Sequence, residues 1–236
     1  MSQGLAFTHM PMHSFTHLLM HLPMHFLGGL MLLCGFALLA QRRFAGMLTL
    51  YRLAALALSA AIFWQGCARL SAGLILAALL TLAVKPILLP RALHRLPRHP
   101  GASPQGEMAM PAALALILGL ALTAIAMQAG LSGPLPPAGP ADLAAREPLA
   151  LALAVVLLGL LLMAVRRQAP AQFIGFLMAE NGLVLAAIGM PGMPFAALLI
   201  LALLAFSLAG LLTLRLRAES GIPASNGLGP AGGIEV

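Results

Sequence analysis

Five of the six acidic residues, Glu107, Asp142, Glu147, Glu219 and Glu235, fall between or beyond the apolar stretches of the chain. The sixth, Glu180, stands near the middle of the stretch from Pro170 to Met190. At about 1.5 Å of rise per helical residue, that is the middle of a bilayer. A carboxylate there costs several kcal/mol unless it is paired, hydrated or protonated, so it is suited to exchange a proton and is the leading functional candidate. The bland alternative is a protonated carboxyl that acts as hydrogen-bond glue between helices. Two basic residues also sit inside apolar stretches, Arg52 and Lys85. Both lie close enough to a helix end for their stems to snorkel toward headgroups, which accounts for Arg52 and leaves it a supporting candidate only. Lys85 immediately precedes Pro86, whose missing N–H frees a carbonyl one turn back and opens a polar spot. We therefore expect Lys85 to share in proton or charge transfer, opposite Glu180.

A second pattern is the run His9, His13, His17, His21 and His25, with Met10, Met12, Met20 and Met24 interleaved. Histidines four apart on a helix chelate metal ions. Here Pro11 and Pro23 are expected to interrupt the helix, and a spacing of four drifts around a 3.6-residue turn, so the five share no single face. No metal is expected. A translation start at Met20 or Met24 is the other reading, and it leaves most of the run out.

The elements that must position these residues are read from hydropathy. The chain is 61% hydrophobic and 8% charged, against roughly 25% charged for soluble domains. Its apolar blocks approach the ~20 residues that cross a ~30 Å hydrocarbon core. Helices are expected at Phe26–Gln41, Phe44–Cys67, Leu70–Pro90, Met108–Leu131, Pro148–Val165, Pro170–Met190 and Pro194–Leu214, three of them opened by proline in the first turn. Arg42, Arg43, Arg91, Arg95, Arg98, Arg166, Arg167, Arg215 and Arg217 fall in alternate connections on one side, and Arg69 and Arg146 on the other. The positive-inside rule then implies an outer N-terminus, a cytoplasmic C-terminus and an odd number of crossings. The net charge of +7 is thereby topological and points to no nucleic-acid partner. Cys34 and Cys67 have no partner at ligand or redox spacing and read as packing residues. The first apolar block lacks the flanks of a cleaved signal peptide and is expected to stay as a helix.

The expected class is all-α, a polytopic membrane protein of about seven transmembrane helices. Residues 1–25 form a His/Met-rich segment, 26–217 the helical domain, and 218–236 a disordered cytoplasmic tail. The stretches 132–147 and 91–107 are expected to be loops, the former irregular and external.

The stretch LGLLLMAVRRQAPAQFIGFLMAENGLVLAA, from Leu158 to Ala187, resembles component E, a membrane subunit of the hydrogenase-4 and formate hydrogenlyase complexes. More distantly, residues 148–214 look like the small K-type subunit of respiratory complex I and the C-type subunit of multisubunit cation/proton antiporters. The shared features are an Arg-Arg turn, an Ile-Gly, and a buried Glu followed by Asn, here Glu180 and Asn181. GGLMLLCGFALLAQRR, from Gly28, and LTLAVKPILLPRAL, from Leu80, look like the first and third helices of component E. The resemblance covers about Met24 to Arg217.

The resemblance implies a non-catalytic membrane-arm subunit without cofactors, between antiporter-like subunits and the part carrying electron transfer, where Ni-Fe and Fe-S subunits attach. Its buried carboxylate lies in the proton path. That role falls to Glu180, then Lys85, with Asn181 in support. Relative to Ile174-Gly175, Glu180 comes three residues later than the corresponding glutamate of the complex I subunit. The family's second acidic residue, in the final helix, has no counterpart. The expected setting is a bacterial or archaeal cytoplasmic membrane. Alone, the chain is expected to catalyse nothing: it has no nucleophile–base pair and no phosphate loop. The alternative is a cation/proton antiporter subunit or a self-contained secondary transporter, because a mid-membrane carboxylate beside a lysine also binds ions.

Overall fold

The computed structural model describes residues 12–95, 109–131, 140–190 and 195–219, with side chains for 23–95, 109–130, 146–190 and 195–218. The described residues form helices and no strand. We number them α1 (Met12–Ala40), α2 (Phe44–Ala68), α3 (Ala72–His94), α4 (Ala112–Leu131), α5 (Pro140–Val165), α6 (Ala169–Gly189) and α7 (Ala196–Glu219). All seven are long and apolar enough to cross a membrane.

Several helix ends depart from the sequence expectation at prolines read as punctuation. α1 runs through Pro23 without a break. α5 starts at Pro140 and carries Pro148 in its interior, so 140–147 is helical rather than irregular. α3 continues past Pro86 and Pro90 to His94. The physical reason is visible in α3, where a π turn, Val84–Leu88, separates two α-helical pieces, and the Leu89 N–H donates to the Val84 carbonyl. A π turn shifts the hydrogen-bond ladder by one residue, which accommodates a proline that cannot donate. Pro170 does sit in a first turn, as expected. Pro194, the expected disordered tail beyond Glu219, and residues 132–139 lie outside the described residues, as does most of the 91–107 linker.

Packing organises the helices as two four-membered rings that share an edge. One ring is α1, α2, α6 and α5 in order of contact, with α4 against α1 and α5; the other is α2, α3, α7 and α6. The shared helices α2 and α6 are the most buried of the seven. In α2 the buried stripe is Tyr51, Ala54, Ala55, Leu58, Ser59 and Ile62, at helical spacing.

Small residues let α5 and α6 meet backbone to backbone. A Cβ on Gly159 would stand 2.3 Å from the Ala179 nitrogen, one on Gly182 2.7 Å from the Val156 nitrogen, and one on Gly175 2.8 Å from the Met163 nitrogen. Between helices in lipid, where tails are as apolar as leucine, such close approach supplies the attraction. Gly159→Ala is therefore expected to lower stability by about 1–3 kcal/mol through overpacking. Gly29→Ala, where a Cβ meets nothing within 4 Å, should cost nothing. Thermal unfolding of both variants in lipid nanodiscs checks the contrast.

Two arginines for which the sequence suggested no packing role, Arg166 and Arg69, tie α6 and its neighbours in place. Arg166, 1% exposed, donates through Nη2 to the Leu38 carbonyl at 3.0 Å and to the Gln41 carbonyl, closing the last turn of α1. Arg69 donates to the Ile188 and Met190 carbonyls at 2.9 and 3.2 Å, closing the last turn of α6. Cations at helix C-termini satisfy carbonyls that have no partner within the helix and complement the dipole. The tight α2–α3 turn that presents Arg69 holds Leu70 at φ 50. Of the two cysteines, Cys34 is buried as expected, but Cys67 is exposed on α2 and packs no core.

Candidate functional site

The second ring, α2–α3–α7–α6, encloses a polar cluster within an otherwise apolar bundle. α6 places Glu180 and Asn181 about 16 Å from its first residue at 1.5 Å per residue, both buried. Their backbone position is set by the glycine contact with α5 on the other side of the helix and by the Arg69 clamp at its end.

α3 brings Lys85. Its Nζ stands 2.9 Å from Glu180 Oε1, with the two side chains 1% and 2% exposed, and it donates to Asn181 Oδ1 at 2.7 Å. Lys85 does not snorkel. Because α3 extends to His94, the lysine lies about 13 Å from that end at 1.5 Å per residue, deeper than an end at Pro90 implied. It belongs to the π turn itself, together with buried Pro86. The proline thus stands next to the lysine in the π turn, where the sequence reading expected a polar spot in α3.

α7 contributes Ser207, whose hydroxyl donates to Glu180 Oε2 and lies 3.3 Å from its own helix's Leu203 carbonyl. The final helix, whose apolar span Ala196–Ala218 has no acidic residue, supplies a neutral donor to the glutamate. From α2 comes Tyr51, the single tyrosine. It is fully buried and within electrostatic range of Glu180. Its hydroxyl and the Asn181 Nδ2 have no hydrogen-bond partner among the described residues. One helical turn above Lys85, Thr81 is buried and spends its hydroxyl on the Ala77 carbonyl at 2.7 Å. Phe176 stacks on Phe173 and meets Phe206 at a tilt, with centroids at 5.9 and 5.8 Å, on the α6–α7 seam near Ser207.

Of the sequence candidates, Glu180, Lys85 and Asn181 are therefore brought together and Arg52 is not. Arg52 is exposed on the outward face of α2 beside Leu53 and Leu56. Sequence reasoning missed Tyr51 and Ser207. A lone tyrosine in an apolar helix was a usable signal, whereas serine was not, since buried Ser59 merely bonds the Ala55 carbonyl of its own helix at 2.8 Å.

Of the histidine run, only the His25 side chain is among the described residues. His9 lies outside the described residues, as do the side chains of His13, His17 and His21, although α1 passes through those three positions. His25 Nε2 is 3.5 Å from Glu147 Oε2 at the α5 end nearest Arg69. No group of three or more His, Cys, Asp or Glu able to hold a metal ion occurs among the described residues.

Chemically, the cluster is a desolvated cation–carboxylate pair with three neutral polar neighbours. Glu180 Oε2 accepts from Ser207, and Oε1 is ion-paired with Lys85. A single proton at the 2.9 Å contact decides between an ion pair and two neutral groups, and those states differ sharply in their attraction across a low-dielectric core. Family models, curated proteins and solved structures were compared with the chain, and none of them matches.

Proposed function

We propose that this chain is a non-catalytic membrane-arm subunit of a complex-I-like oxidoreductase of the group 4 hydrogenase kind, which helps couple redox chemistry to proton or sodium movement. It lies in a bacterial or archaeal cytoplasmic membrane, N-terminus outside and C-terminus in the cytoplasm. The arginine asymmetry supports the orientation. The sequence stretches around Arg166-Arg167, Glu180-Asn181 and Lys85-Pro86 that resemble component E support the family.

One observation carries the functional reading: the buried 2.9 Å contact between Lys85 and Glu180 in mid-bundle. Protonation of Glu180 removes the charge that holds Lys85, and deprotonation restores it. A pair that alternates in this way is a relay element able to pass its state to neighbouring subunits. Antiporter-like membrane subunits are its direct partners, and Ni-Fe and Fe-S subunits are attached to the same complex.

Gentle purification through a C-terminal tag is the test. Co-purification of nickel- and iron–sulfur-bearing subunits is the expected result. The same buried pair also suits an antiporter subunit or a self-contained transporter, and isolation as a small homo-oligomer, with no redox subunit attached, would favour that reading instead.

A further inference from the structure

Resting on the ion-translocation reading, we propose that Lys85 is a tethered cation occupying a monovalent-cation site, so that this position handles protons and excludes sodium. The ammonium sits where a small hard cation would be held. Glu180 Oε1 and Asn181 Oδ1 face it at 2.9 and 2.7 Å. Ser207 orients the second carboxylate oxygen, and the Tyr51 hydroxyl is buried in the same ring without a hydrogen-bond partner among the described residues. Hard monovalent cations at mid-membrane depth are held by such oxygens, with one carboxylate to balance the charge.

Lys85 supplies that charge from within the chain. A sodium ion entering would have to displace Nζ or share the carboxylate with a like charge at contact distance, in a core where such repulsion is poorly screened. A proton adds the same charge, but it forms a covalent O–H bond with one carboxylate oxygen and needs no ring of ligands, so it requires no room beside the ammonium, which Asn181 Oδ1 still accepts from. Removing the lysine while keeping its volume unblocks the oxygens and leaves one negative charge in need of a counter-ion.

The test is equilibrium binding of radioactive sodium to the full chain in lipid nanodiscs, in choline buffer, combined with melting temperature. Wild type should retain no sodium above background and show no sodium-dependent shift. Lys85→Met should bind sodium one-for-one and melt a few degrees higher in sodium than in choline, and adding Glu180→Gln should abolish both effects. Lys85→Gln, which keeps a donor for Asn181, is the second variant. If either variant folds only when sodium is present, the proposal is supported. If both stay unfolded at saturating sodium, or fold and bind none, it is overturned. Sodium binding by wild type overturns it outright. Because binding is read without turnover, these outcomes are separate from whether the assembled complex moves ions at all.

Discussion

On the proposed reading, Glu180→Gln is expected to abolish ion movement coupled to redox turnover while the complex remains assembled. Glutamine keeps the shape of the side chain, and its carbonyl still accepts from Ser207 or Lys85, so the α6–α7 and α3–α6 contacts survive. It has no exchangeable acid proton and no charge to hold Lys85, so the alternation between paired and released states is lost. The measurement is acidification of inverted membrane vesicles, followed with a pH-sensitive dye during hydrogen-linked turnover, with the set of assembled subunits checked on native gels. Signal at background with all subunits present is the expected outcome. If Glu180→Gln and Glu180→Ala both retain full coupled activity, the carboxyl is structural.

Lys85→Met is expected to be strongly destabilising. Methionine fills a similar volume, so packing changes little. The loss comes from stranding a carboxylate that Lys85 alone neutralises among the described residues. Breaking a buried pair on one side costs about 3–5 kcal/mol, whereas replacing both partners by neutral groups of similar volume is often close to neutral. In choline buffer at neutral pH, the melting temperature of Lys85→Met should fall far below that of wild type. Asn181→Ala removes only a neutral acceptor and should cost about 1–2 kcal/mol.

How much of this was legible in the sequence follows from which effects are local. The seven spans were legible because hydropathy over a bilayer-length window outweighs every other signal. Their ends were not. Pro23, Pro90 and Pro148 were read as breaks by rules for helices in water, but each lies within a described helix, because neighbouring helices and π turns re-satisfy the freed backbone groups. Glu180 was legible as the sole acid inside a span, and its burial follows from cost alone. Lys85 was ambiguous, since snorkelling depends on a helix end that the sequence placed too early. Arg166 and Arg69 illustrate a different failure. Their charge was read as a marker of orientation, and their reach across the bundle to the last carbonyls of α1 and α6 was not foreseen. Such contacts are set by tertiary packing and leave no local trace. Tyr51 and Ser207 join the site for the same reason.

A double-mutant cycle tests the central ion pair most directly. Wild type, Lys85→Met, Glu180→Gln and Lys85→Met/Glu180→Gln are unfolded in the same nanodiscs, and the coupling is read as the departure from additivity. A coupled, desolvated pair predicts that the double variant recovers most of the stability lost by Lys85→Met. Additive losses in all four proteins would mean that Lys85 and Glu180 do not hold each other in the membrane interior, and the proposed relay would have no switch.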